Sequence, residues 1–198
     1  MIRALMLATA LAVSACASTA IAGPPVDRVP ADQRVPLDFR RTTLVVRDME
    51  ASLAFYRAIG LVPIYDNIIR TPRDAPSDQA AERSLRLVFL RANDDYIGII
   101  GLMEYSKPER EPRPARAEDD RILHPGDVVL VFNVVNQEEV FARAIASPGV
   151  RVGETPHVVT YPGYDGTSVI RINFSSVYDP DGHYIELNQV LSDLPVGE

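Results

Sequence analysis

The chain says one structural thing twice. A strand-like run over Arg41, Thr42, Thr43, Leu44, Val45 and Val46 stops at Asp48. Helical spacing through Leu53, Phe55, Tyr56 and Ile59 follows, and Gly60 ends it. About 88 residues later the pattern returns: Val129 to Val134 alternates, Asn136 interrupts, and Val140, Phe141, Ala144 and Ile145 carry a second helix to Pro148 and Gly149. Each helix is followed by extended segments, at residues 85–91 and 96–105 in the first copy and 169–177 and 184–190 in the second. A strand–helix–strands unit leaves one sheet face unburied, so two copies are expected to pair around one shared concavity.

Punctuation supports the same division. Asp48 and Asn136 are helix-capping residue types, each where alternation gives way to helical spacing. Glu139 stands where a capping box would use it. Gly60 suits a left-handed C-terminal position, and Pro148-Gly149 ends the second helix by a related device. Asp179, Pro180, Asp181 and Gly182 form a turn sequence, with proline presetting φ and glycine accepting a positive one. Asn93, Asp94 and Asp95 do the same work in the first copy.

Those residues also carry a resemblance. The stretch from Arg41 to Tyr56, with Ile59, Gly60 and Leu61, resembles the opening strand and helix of the vicinal oxygen chelate superfamily. The stretch Asp179 to Leu187 resembles its closing hairpin. The superfamily includes glyoxalase I, extradiol dioxygenases, methylmalonyl-CoA epimerase, fosfomycin-resistance and bleomycin-binding proteins. The resemblance implies an α+β fold of two βαβββ modules, their sheets curved around a U-shaped cavity. One such domain is expected over 38–191, with module one at 38–105, a crossover at 106–125, module two at 126–191 and a tail at 192–198. One scaffold of this kind hosts many reactions, so it does not name the chemistry.

The superfamily's metal enzymes draw ligands from the first and last strands of each module. Carried across, the two first-strand positions fall on Arg41 and Val129. A guanidinium stays protonated and valine has no lone pair, so neither ligates a divalent metal. Glu186 matches the closing-strand carboxylate. Its first-module counterpart is either Glu104 or Gly98, which share a strand face. The expectation is therefore no metal cofactor, a divalent ion being disfavoured.

In place of a metal, Arg41 would offer fixed charge and hydrogen-bond donors to an anion or carbonyl. A salt bridge from Arg41 to Glu186 or Glu104 would fill the same space more simply. Arg41 and Glu186 are the candidate catalytic residues. Alternation adds Thr43, Val45, Val129, Val131, Asn133 and Asn188 to the same inward faces. The ligand-binding candidates are Thr43, Glu104, Asn133, His157, Tyr161 and Asn188. His157, Tyr161 and Tyr164 stand in a Pro-, Gly- and Tyr-rich segment, 154–166, that reads as an extended loop over the site. Residues 66–83 read as a long polar loop at the rim, His183 as a surface turn residue and His124 as linker. No Ser–His–Asp or Cys–His arrangement and no glycine-rich phosphate loop is legible.

The N-terminus reads as an export signal: a short basic start, then an apolar run over 4–13 too short for a retained span. Two processing sites compete. Val13, Ser14, Ala15 and Cys16 resemble a lipobox, which would leave a leader of 1–15 and a lipid on Cys16, the protein's single cysteine. Ala20, Ile21 and Ala22 form an A-x-A site, which would leave a leader of 1–22. Either predicts a bacterial periplasmic or envelope-anchored protein, joined to membrane only through that lipid, with a tether over 23–37. The net charge of −7 comes without a basic cluster, which argues against nucleic acid. The partner expected is a small-molecule ligand, and a homodimer is compatible with the fold.

Overall fold

The computed structural model describes residues 31–33, 35–108, 123–163 and 165–195. The proposed leader, Cys16, Tyr164 and most of the crossover lie outside them. Two βαβββ units follow one another, as the duplication requires. The first is β1 (Arg41–Val45), α1 (Met49–Ala58), β2 (Val62–Thr71), β3 (Arg83–Arg91) and β4 (Ile99–Lys107). The second is β5 (Val129–Asn133), α2 (Gln137–Ile145), β6 (Arg151–Pro162), β7 (Ser168–Tyr178) and β8 (Tyr184–Pro195). The sheets have matching orders, β1-β4-β3-β2 and β5-β8-β7-β6. In each, the first strand runs parallel to the last and the other pairings are antiparallel.

Local chemistry explains the elements. Asp48 is extended and its carboxylate accepts from the Glu50 and Ala51 amides at 2.9 and 3.0 Å, which starts α1. The helix ends in a Schellman motif: Leu61 N–H donates to the Tyr56 carbonyl and Gly60 N–H to that of Arg57. Gly60 has φ of 111°, a conformation that penalises any Cβ. The start of α2 departs from the sequence reading. Asn136 is left-handed, with φ of 53°, and makes no side-chain cap. The first amide of α2, Gln137 N–H, is instead capped by Gln189 Oε1 from β8 at 3.0 Å.

Two further segments differ from expectation. Residues 66–71 continue β2, paired with β3, so only the remainder of the polar segment forms the β2–β3 connection. Most of the supposed loop at 154–166 belongs to β6, whose pairing with β7 covers its proline- and tyrosine-rich sequence.

The apolar faces of the helices and both sheets meet in one core. It holds Leu53, Phe55 and Tyr56 of α1, Phe141 and Ala144 of α2, Leu102 of β4, and Ile185 and Leu187 of β8. The modules are therefore docked through their helix sides, which leaves the opposite sheet faces open.

Candidate functional site

Strand parity decides which side chains reach the open faces. Leu44 and Leu102 are register partners in β1 and β4, and both lie in the core. Arg41, Thr43 and Val45, with partners Ile99, Gly101 and Met103, consequently face the other way. In the second sheet Ile185 and Leu187 point to the core, so Glu186 and Asn188 face out beside Val131 and Asn133. Val45 and Val131 are 54% and 60% exposed, so these faces are open and not packed.

The same registers identify the counterpart of Glu186 in the first module. Arg41 and Val129 open β1 and β5, and their partners are Ile99 and Tyr184. Two residues further along the last strands, Gly101 corresponds to Glu186. The capping contacts agree. Glu104 Oε1 accepts from Met49 N–H, the first residue of α1, at 3.4 Å, as Gln189 does for Gln137 in α2. Glu104 is thus the structural counterpart of Gln189, on the helix face, and not a group of the open face. Gly98, the other sequence candidate, precedes β4 in a turn with φ of 69°. Both sequence alternatives miss by strand parity, and the position belongs to Gly101.

Gly101 has an ordinary backbone, so the need for glycine is spatial. A Cβ there would lie 2.7 Å from Thr43 Oγ1 and 3.1 Å from Arg41 Cδ. The Arg41 side chain occupies the space that a larger residue at 101 would take. Its Nε donates to Thr43 Oγ1 at 2.9 Å, and its guanidinium carbon lies 4.0 Å from the centre of the Phe89 ring on β3. Phe89 in turn stacks on Tyr65 of β2, with centroids 4.7 Å apart and planes 20° from parallel. Arg41, Phe89 and Tyr65 form a row across the first sheet, a cation on a double aromatic platform. Sequence reading missed Gly101, Phe89 and Tyr65. Only the strand order and register bring them beside Arg41.

The second open face is built of acceptors. Asn188 Nδ2 donates to Glu186 Oε2 at 2.9 Å, which turns the amide oxygen away from the carboxylate. Asn188 is only 7% exposed, and its Oδ1 has no hydrogen-bond partner among the described residues. A buried acceptor left unpaired costs about 1–3 kcal/mol, which a bound donor would recover. Asn133 is exposed, and its Oδ1 accepts from Val190 N–H at 3.4 Å.

Across β7, Ser176 pairs with both Glu186 and Glu154. The Tyr184 hydroxyl is pushed up in pKa, first by burial, and the charges of Glu186 and Glu154 add to the shift. His157 packs edge-on to Phe174 at 5.5 Å, and its Nε2 lies 3.7 Å from a Glu154 carboxylate oxygen. Tyr161 lies four residues further along β6, about 13 Å away, and is half-exposed. Arg41 and Glu186 make no ion pair with each other among the described residues. Arg41 bonds to Thr43, and Glu186 to Asn188.

The seam between the modules is a separate polar cluster. Asp179, buried in the β7–β8 turn, accepts from Tyr56 Oη of α1 at 3.0 Å. It also takes the Asp181 and His183 amides and the His183 ring Nδ1. Asp181 binds the Arg47 amide and guanidinium and the Ser52 hydroxyl. His183, expected at the surface, is instead half-buried, with its Nδ1 3.0 Å from an Asp179 carboxylate oxygen, an ion pair when the ring is protonated. A cleft of about 380 Å³ lies beside this seam, lined by Arg47, Asp48, Pro148 and Asp181 among others. Its carboxylates are already engaged, Asp48 by α1 and Asp181 by Arg47, so the cleft offers little ligand chemistry.

With this geometry in view, the chain can be set beside known proteins. The model of the glyoxalase/bleomycin resistance protein/dioxygenase superfamily matches residues 39–187. The chain belongs to that superfamily. A solved glyoxalase family protein from Bacillus cereus superposes with a TM-score of 0.57 at 16% identity, over 83% of this chain and all of that one. A glyoxalase/bleomycin resistance protein/dioxygenase family enzyme from Burkholderia phytofirmans PsJN is 19% identical, with a TM-score of 0.45 over 78% of this chain and all of that one. No curated protein matches in sequence. The likeness to the Bacillus cereus protein shows the fold and leaves the chemistry to the residues.

The superfamily's metal positions hold Arg41, Gly101, Val129 and Glu186 here. One carboxylate stands among a cation, a glycine and a hydrocarbon. That set does not fit a divalent metal, which needs several oxygen, nitrogen or sulfur donors converging on it. Among the described residues, no group of three or more His, Cys, Asp or Glu side chains gathers elsewhere either.

Proposed function

We propose that this chain is a small-molecule binding protein of the superfamily, which holds an organic ligand on its open sheet faces without a divalent metal. The observation that carries this reading is Arg41 lying across Gly101. A fixed guanidinium stands where a metal enzyme would place one of its ligands, with donors free to meet an anionic or carbonyl oxygen. The Phe89 and Tyr65 rings beneath it suit a planar ligand. Thr43 orients the guanidinium, and Glu186 and Asn188 are the polar groups of the second module's open face. His157, Asn133 and Tyr161 line the outer part of that face.

The test is a thermal-shift screen of small aromatic and carboxylic compounds on the mature protein, with Arg41→Met as comparison. A hit should bind the variant about tenfold or more weakly, the loss of one charged hydrogen bond. Equal affinity would remove Arg41 from the site. Elemental analysis should find less than one zinc, iron, manganese or nickel per chain, and a stoichiometric metal lost on Glu186→Ala would overturn the metal-free reading. A second reading, a lyase, isomerase or oxygenase, has one observation in its favour. The Glu186 carboxylate has no cationic partner among the described residues and is free to take a proton. Turnover abolished in Glu186→Gln, with binding retained, would establish it.

The basic start and the apolar run over 4–13 support a reading of export to the bacterial envelope. In that reading Cys16→Ser abolishes lipid labelling and membrane association. Unchanged release of a chain beginning at Gly23 would establish the signal-peptidase route instead.

A further inference from the structure

We infer that the open face of the second sheet is a binding site for a protonated primary or secondary amine. The inference rests on the proposed binding function and extends it from the Arg41 face of the first module to the Glu186 face of the second.

Two independent observations meet there. The first is the unpartnered Asn188 Oδ1, on a side chain more than nine-tenths buried. Its orientation is determined, because only the NH2 end can face the Glu186 carboxylate. The oxygen is therefore a buried acceptor that no described residue satisfies, and a ligand that opens a way to it would supply the missing donor. The second is charge. Glu186 and Glu154 both act on the Tyr184 hydroxyl, so the two carboxylates share one neighbourhood. Among the described residues, neither is paired with an arginine or a lysine. Among the described residues their one pairing partner is His157, a histidine whose Nε2 lies 3.7 Å from Glu154.

An anion would be repelled here, and a neutral carbonyl would add one more acceptor to acceptors. A cation without N–H groups would satisfy the charge but not the amide oxygen. An ammonium group satisfies both, donating to Asn188 Oδ1 and to Glu186 at once. The Phe174 ring, packed against His157, flanks the site with an apolar surface for the carbon next to such a nitrogen.

The test uses four simple probes on the mature protein: benzylamine, benzyltrimethylammonium, benzoate and magnesium ion. Binding is followed by nitrogen–proton correlation NMR, in which the Asn188 side-chain amide and the Arg41 Nε–H report on the two faces separately. Benzylamine should shift the Asn188 amide and bind at least tenfold more tightly than benzyltrimethylammonium. Glu186→Gln should weaken benzylamine at least tenfold, with a smaller effect on benzoate. Asn188→Leu, which replaces the amide by an apolar side chain of similar size and so removes the orphaned acceptor, should erase the preference for the primary amine. Benzoate moving Arg41 while benzylamine leaves Asn188 untouched would sink this inference and spare the proposed function. Silence from benzoate and benzylamine alike would sink both. Equal binding of the quaternary ammonium, or magnesium displacing benzylamine from Asn188, would also overturn the amine assignment.

Discussion

Asp179→Ala should destabilise the protein by about 3–5 kcal/mol, the usual cost of breaking a buried charged network by removing one partner. Asp179 is 1% exposed, and its two carboxylate oxygens take donors from both modules. Without it, the buried Tyr56 hydroxyl and the amides of the β7–β8 turn lose their acceptor together. Against a typical folding free energy of about 5–15 kcal/mol, that loss removes a large share of the margin. Urea denaturation measures it directly. Tyr56→Phe, which removes one hydrogen bond of the set, should cost only about 1–2 kcal/mol. A midpoint for Asp179→Ala within error of Tyr56→Phe would mean that apolar contact alone holds the modules together.

The same cluster should make stability depend on pH. Burial opposes charge on His183, but the hydrogen bond and charge of Asp179, helped by Asp181, outweigh it, and the folded pKa rises above the ordinary 6.5. A raised folded pKa means that the native state holds its proton more tightly than the unfolded chain. The resulting stabilisation is complete below the unfolded value of 6.5 and is lost as pH climbs through the higher folded value. The melting temperature should therefore decline over that window, and His183→Gln should flatten the decline.

How much of this was legible in the sequence follows from which forces act locally. The two modules, both helices and the Asp179–Gly182 turn were readable because caps, glycines and apolar periods are properties of a few neighbouring residues. Glu104 and Gly98 were not separable and Gly101 was missed, since the parity of β4 depends on how the turn near Gly98 delivers the chain into its pairing with β1. Asn136 looked like a cap because the partner that replaces it, Gln189, comes from β8, far along the chain. His157 looked like a loop residue because β6 is rich in proline and tyrosine, and only its pairing with β7 makes it a strand. Asp179 was read correctly as a turn residue, but its burial under Tyr56 comes from docking between modules. Arg41 was found from its place in β1. What it rests on, Phe89 across Gly101, arises from the strand order β1-β4-β3.

Gly101→Ala should disable the Arg41 face while leaving Arg41 in the chain. The added methyl would meet Thr43 Oγ1 at 2.7 Å and Arg41 Cδ at 3.1 Å, and strand pairing on both sides of β4 prevents the backbone from yielding far. The flexible arginine side chain gives way first. It loses its bond to Thr43 and its seat on Phe89, at a cost to stability of about 1–3 kcal/mol for overpacking. Binding of an anionic or carbonyl ligand should then fall about as far as in Arg41→Met, although the charge is still present. That pairing of results separates two roles for Arg41. If charge anywhere near the open face were sufficient, Gly101→Ala would bind as the parent does and only Arg41→Met would fail. If the position of the guanidinium over the aromatic row is what matters, both variants fail alike. Thr43→Val, which removes the hydroxyl but adds no bulk at 101, should then fall between the parent and these two variants. In that case the glycine, and not only the arginine, specifies the site. A carboxylate side chain of the kind Glu186 carries in the second module is excluded from position 101 by the arginine that lies across it.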